Sequence, residues 1–221
     1  MMKPTMLLTL SVLLFAFTTY IIPSAFSQVP DLVKDTDGIP LRSDGRYYIR
    51  PALRGPGGGG VSPGETGNQT CPVTVLQHKS EVENGNGVKF EHYPNIGIIY
   101  EGVPLTISFG DIYGFCADST KWVVVSDDFP GKWVGIGGAE DHPGKEIVSG
   151  LFDIQKYDDV AYKLVFTPVT GGSPGLSVDI GRRDDKNGRR LILAEEDERT
   201  YRVVFARVDD DGGINGIKSV V

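Results

Sequence analysis

Twelve short runs rich in β-branched and aromatic residues recur along this chain, separated by clusters of Gly, Pro and Asp. They are 47–50, 73–77, 88–90, 96–100, 105–109, 122–126, 134–136, 151–155, 162–166, 176–180, 190–194 and 201–205. Such punctuation signals all-β structure, and none of these segments has the apolar period of an amphipathic helix. Grouped in fours, the runs begin at Tyr47, Leu105 and Tyr162, which are 58 and 57 residues apart. Near-equal spacing of three four-strand units is a repeat signature. It predicts a β-trefoil, an all-β fold of twelve strands in three four-strand units. Closure removes the sheet edges that an exported β protein must otherwise protect. A two-sheet sandwich is the alternative, and it needs no period of three. The glycine-rich run from Gly55 to Gly60 reads as a flexible loop inside the first unit.

Residues 1–28 read as a secretory signal peptide. Lys3 supplies the positive start, residues 7–17 the apolar run, and Pro23-Ser24-Ala25-Phe26-Ser27 the small residues for cleavage near Ser27 or Gln28. The apolar run is short of the roughly 20 residues that cross a bilayer. Residues 29–221 are therefore expected to form one soluble domain in a secretory compartment. The chain has 22 basic and 29 acidic residues, and Lys3 is the one charge in the leader, so residues 29–221 carry −8. That balance argues against nucleic acid or an anionic membrane as partner.

Two cysteines in a secreted chain, Cys71 and Cys116, most simply form one disulfide. Two free buried thiols are the alternative. A bridge across this interval contributes roughly 4 kcal/mol in the chain-entropy picture and would restrain one long excursion of the chain. Asn68-Gln69-Thr70 is the one N-glycosylation acceptor, which puts the expected glycan on Asn68.

The search for catalytic chemistry returns turns. Gly171-Gly172-Ser173-Pro174-Gly175 matches G-x-S-x-G, but that motif needs a strand, an elbow and a helix. His78, His92 and His142 are scattered, unlike zinc ligands, and read as solvated or loop residues. Asp35-Thr36-Asp37-Gly38 and Asp209-Asp210-Asp211-Gly212 lack the Glu that closes an EF-hand loop. The glycine run lacks the Gly-Lys-Ser/Thr ending of a phosphate loop. Arg182-Arg183 and Arg189-Arg190, interrupted by Asp184-Asp185, read as a mixed-charge hairpin. No catalytic residues, no metal and no cofactor are expected. The reading moves from enzyme to binding or inhibition.

Val33-Lys34-Asp35-Thr36-Asp37-Gly38-Ile39-Pro40-Leu41, followed by Gly45-Arg46-Tyr47-Tyr48-Ile49, resembles the N-terminal signature of the plant Kunitz (soybean trypsin inhibitor) family. Cys71-Pro72-Val73-Thr74-Val75, Glu101-Gly102-Val103-Pro104-Leu105, Trp122, Tyr162-Lys163-Leu164-Val165-Phe166, Asp179-Ile180-Gly181 and Arg189-Arg190-Leu191 also match family positions. The resemblance spans residues 29–221 and implies the β-trefoil that the spacing predicts. It implies a protein of plant defence that blocks a secreted or vacuolar protease, of serine or cysteine type, acting as a monomer. The family presents an exposed loop in a substrate-like way, and pre-organisation of such a loop reduces the ordering cost of binding.

Aligned without a gap between Cys71 and Glu101-Gly102, the resemblance makes Tyr93, Pro94, Asn95, Ile96 and Gly97 the reactive loop. Asn95 is then the residue for the protease's primary pocket, with Ile96 beyond the scissile bond. The prototype has arginine there. A trypsin-like pocket holds a buried carboxylate, and leaving it unpaired costs about 3–5 kcal/mol, so Asn95 argues against trypsin as target. Ser43 stands where the family places a bracing asparagine, and serine offers fewer hydrogen-bonding groups. Gly97 adds backbone freedom to the loop, and Pro94 removes some. Thr167 stands at a cysteine position of the second family disulfide, which makes this a single-disulfide member. The Cys71–Cys116 bridge is expected to fasten the loop. A neutral-polar bait suits asparagine-directed cysteine endopeptidases among other targets. The alternative is a non-inhibitory binding, storage or carbohydrate-binding protein on the same scaffold.

Overall fold

Burial alternates along the strands with a period of two, as half-buried sheet requires. Tyr47 and Ile49 are buried while Tyr48 and Arg50 are only partly covered, and Leu105, Ile107 and Phe109 are buried while Thr106 and Ser108 are not. The structure is a computed structural model, describing residues 30–53, 57–110, 116–185, 188–195 and 198–208. The leader (1–28), Gly55-Pro56 of the glycine run and the Asp209–Gly212 turn lie outside the described residues.

Fourteen strands are described: β1 (Tyr47–Pro51), β2 (Val61–Gly64), β3 (Thr74–Gln77), β4 (Val88–His92), β5 (Leu105–Phe109), β6 (Trp122–Ser126), β7 (Trp133–Ile136), β8 (Glu146–Val148), β9 (Gly150–Lys156), β10 (Tyr162–Thr170), β11 (Ser173–Pro174), β12 (Val178–Asp185), β13 (Gly188–Leu193) and β14 (Val203–Arg207). A 3₁₀ turn at Ala139–Asp141 interrupts them. Six strands close a ring in the order β1, β4, β5, β9, β10, β14 and back to β1, every pair antiparallel. The hairpins β2–β3, β6–β7 and β12–β13 form a cap, in which β3, β7 and β13 pair with one another. Three units, each giving two barrel strands and one cap hairpin, are the β-trefoil.

Aromatic side chains join the units through the core. Phe90 meets the edge of Phe205 at 5.3 Å and Tyr47 at 6.2 Å. Trp122 meets Phe109 at 5.7 Å and Phe152 at 6.2 Å, and Phe152 meets Phe166 at 5.0 Å. A fully buried side chain of this size contributes about 1.5–3 kcal/mol, and a well-oriented ring pair about 0.5–1.5 kcal/mol more.

Eleven of the twelve expected runs coincide with strands, and the units begin at Tyr47, Leu105 and Tyr162 as the spacing predicts. Residues 96–100 are the exception. They make isolated bridges, Ile98 to Arg42 and Tyr100 to Leu32, because their neighbours are the chain before β1 and not a sheet strand. The missing strand of the first unit is β2, whose Pro63 and Gly64 hide it from propensity. It forms because Val61 and Ser62 pair with Gln77 and Leu76. The short β8 and β11 are additional.

Two other expectations change. The described part of the glycine run is packed tightly and is no flexible loop. Gly58, Gly59 and Gly60 are buried, Gly59 and Gly60 donate their N–H groups to the His78 and Glu83 carbonyls, and Gly57 O accepts from Gln77, Arg182 and Arg189. Two of the histidines, His92 and His142, are buried, while His78 lies in a loop with 33% of its side chain exposed. His142 is 1% exposed, its Nε2 lies 2.8 Å from Ile136 O, and burial pushes its pKa down. His92 is buried and His78 is bonded through both ring nitrogens.

The Asp35 turn uses its own carboxylate, whose Oδ1 accepts the N–H groups of Asp37 and Ile39 at 3.0 and 2.9 Å. Ser173 and Pro174 form a turn-flanking pair with β10, with positive φ at Gly171 and Gly172. In the β12–β13 hairpin, Arg189 pairs with Asp184 at 3.3 Å.

A Cβ at Gly60 would lie far inside van der Waals contact with the Asn84 carbonyl oxygen. Gly60→Ala is expected to destabilise the domain by about 2–3 kcal/mol, as overpacking does. The thermal midpoint should fall by about 4–12 °C, readable by calorimetry.

Candidate functional site

β4 and β5 pair at their ends through His92 and Leu105, and the chain between them projects from the open end of the barrel. Tyr93 is 99% exposed and Ile96 49% exposed, while Pro94 and Asn95 are also on the surface. A projecting segment with two large apolar side chains in water differs from the buried pattern on either side of it.

The loop is nevertheless tied down. Asn95 Oδ1 accepts the Gly97 N–H at 2.9 Å, an Asx turn that the side chain makes with its own backbone. The same oxygen accepts the Ser43 hydroxyl at 2.9 Å. The Ser43 N–H in turn donates to Gly97 O at 3.1 Å. Gly97 has φ +77°, a conformation that a side chain would strain. Ser43 therefore bonds to the loop twice, and one of the groups it holds is the Asn95 amide itself.

Below this apex lies an apolar pedestal. Val33, Leu41 and Ile99 are each fully buried. Their backbones form a closed triangle: Val33 N–H to Ile99 O at 3.1 Å, Ile99 N–H to Leu41 O at 2.9 Å, Leu41 N–H to Val33 O at 2.8 Å. His92 spans the base of the loop, with Nδ1 at 2.9 Å from Pro104 O and Nε2 accepting the Tyr100 N–H at 3.3 Å. These contacts require the neutral tautomer with its proton on Nδ1. The apolar run at 96–100 was visible in sequence, but the partners across the pedestal were not.

Charge near the apex is modest. Arg42 and Asp44 flank Ser43 and pair at 3.0 Å, which holds the Asp44 carboxyl below its usual range. Both are in water, where such a pair contributes little. Burial raises the Glu101 carboxyl above its usual range, with the nearby Asp31 adding to it.

Cys71 and Cys116 form the expected bridge, with Cα atoms 5.8 Å apart. It joins the β2–β3 turn to the β5–β6 connection. Cys116 follows Phe109, the end of β5 away from the loop, so the bridge ties the cap side of the hairpin. The direct bonds to residues 93–97 come from Ser43 and from within the loop. Thr167 shares a 2.7 Å hydrogen bond with Ser177, linking β10 to the chain before β12 without a covalent bond. Asn68 is exposed on the β2–β3 turn.

The profile of the legume Kunitz family, described as trypsin and protease inhibitor, matches residues 33–207. A Kunitz-type trypsin inhibitor-like 2 protein of Pisum sativum is 46% identical over 225 residues, with 100% of both chains covered. Subtilisin inhibitor CLSI-II of Canavalia lineata is 42% identical over 186 residues, 79% of this chain and 91% of that one. The crystal structure of a Kunitz type trypsin inhibitor from Cicer arietinum has a TM-score of 0.73 at 47% identity, covering 80% of this chain and 99% of that one.

Removing the Asn95 amide should loosen the loop without unfolding the domain. Asn95→Ala is expected to speed hydrogen exchange at the Gly97 amide by about fivefold, since one such bond contributes about 1 kcal/mol. The melting temperature should stay within about 2 °C of the parent.

Proposed function

This chain belongs to the legume Kunitz family of trypsin and protease inhibitors, and we propose that it inhibits a secreted or vacuolar endopeptidase through residues 93–97. Asn95 faces the protease's primary pocket and Ile96 lies beyond the scissile bond. The observation that carries this reading is the contrast within the loop: its side chains at Tyr93 and Ile96 stand in water while Ser43, Gly97 and the pedestal hold its backbone. A segment held in one shape binds with little loss of conformational entropy.

The target has an uncharged pocket. Asn95 brings no cation to the carboxylate of a trypsin-like pocket, and a lone buried carboxylate costs about 3–5 kcal/mol. A named subtilisin inhibitor among the relatives supports a target other than trypsin. An asparagine-directed cysteine endopeptidase fits the same residue. Entry of Asn95 into either pocket exchanges its bonds to Ser43 and Gly97 for bonds inside the pocket.

That inward hold also supports a second reading. A scaffold whose bait side chain serves its own loop suits a non-inhibitory binding or storage role. For both readings we propose that residues 1–28 are removed on export, that Asn68 carries a glycan, and that residues 29–221 act as a monomer.

A protease panel on the mature protein separates them. Micromolar or tighter inhibition of a subtilisin-, elastase- or asparagine-specific enzyme, with weak inhibition of trypsin, supports the first reading. Asn95→Arg should then tighten trypsin inhibition by at least about a hundredfold. If no protease is inhibited and neither Asn95→Arg nor its combination with Ser43→Asn creates trypsin inhibition, the inhibitory reading fails.

A further inference from the structure

The β2–β3 hairpin carries a second constellation, apart from the loop at 93–97. Ser62 pairs with Leu76, so His78, two residues further along, lies diagonally opposite on the same face. Ser62 Oγ and His78 Nε2 are 2.7 Å apart. His78 Nδ1 contacts the Glu83 carboxylate on its other side. Backbone bonds hold the members in place. His78 N–H donates to Gly60 O and its carbonyl accepts from Gly59, both at 2.9 Å, while Glu83 O accepts the Gly60 N–H at 2.8 Å. The tight glycine run is what brings the three residues together.

A nucleophile, a base and an acid in contact in that order are recognised by geometry and not by fold. Glu83 accepts a hydrogen bond from Nδ1–H, which leaves the Nε2 lone pair facing the Ser62 hydroxyl. A cleft of about 280 Å³ is lined by Ser62, His78, Pro63, Gly64, Lys79 and Gly188. Its size suits a short acyl group. Lys79 is exposed at this cleft.

We propose that Ser62, His78 and Glu83 form a nucleophilic site that takes the acyl group of small esters with good leaving groups. Ser62 Oγ bonds to the ester carbonyl carbon and the ester C–O bond breaks. The Ser62 proton passes to His78 Nε2 and then to the departing alkoxide or phenoxide. Water, with His78 as base, then releases the carboxylic acid and restores Ser62. Ser62 is 8% exposed and lines the cleft, which is where a small reagent reaches it.

The mature protein would be treated with p-nitrophenyl acetate and, separately, with a small alkyl fluorophosphonate. Intact mass and peptide mapping read the adduct. One adduct per chain on Ser62 is expected, lost in Ser62→Ala and formed about a hundredfold more slowly in His78→Gln, the usual scale of general-base assistance. His78→Gln keeps the side-chain volume and serves where Ser62→Ala fails to fold, and thermal melts check both. Glu83→Gln should slow the reaction less, because that carboxylate is half exposed. No adduct at millimolar reagent, modification on lysines alone, or equal rates in His78→Gln and parent would overturn the proposal. A protein modified on Ser62 that still inhibits its protease would show that this site and the loop act independently.

Discussion

The pairing of the first barrel strand with the last holds the molecule together. β1 and β14 share a five-residue ladder from Tyr47–Arg207 to Pro51–Val203. Nearly the whole chain must be in place before this seam can form, and such non-local closure is slow to fold and cooperative once made. The seam also positions the N-terminal segment. Thr36 N–H donates to Phe205 O at 2.8 Å, so the chain before β1 is laid across the open end of the barrel. There Val33 and Leu41 meet Ile99. The loop at 93–97 thus stands on a pedestal that exists only when the barrel is closed.

The two ends of the β4–β5 hairpin do different work. At the cap end the Cys71–Cys116 bridge limits the long connections. At the open end no bridge touches the apex, and hydrogen bonds from Ser43 and within the loop set its shape. Each such bond is worth about 1 kcal/mol, so the apex can exchange partners when a protein surface offers better ones, while the barrel beneath stays rigid.

Much of this could be read from the chain. The unit spacing predicted the trefoil because a threefold barrel needs three similar lengths of chain, and Tyr47, Leu105 and Tyr162 mark its unit starts. Cys71 and Cys116 announced their pairing by being the only two. What escaped was structure made by neighbours. β2 contains Pro63 and Gly64 and becomes a strand because β3 supplies the partner. Residues 96–100 look like a strand, but the chain before β1 meets them in its place. Gly58, Gly59 and Gly60 look loose in sequence and are buried, because the missing side chains let the Asn84 and Glu83 carbonyls approach.

The sequence by itself determined the architecture and the disulfide, since each follows from residue type and spacing along one chain. Only the tertiary structure decided where side chains point. Asn95 reads in sequence as a residue offered outward, and folding turns its amide onto Ser43, which is 52 residues away. Ser62, His78 and Glu83 match no linear motif, and the hairpin register brings them into line. Hydrogen bonds between distant residues depend on distances of a few ångströms in space, and separation along the chain carries no record of them.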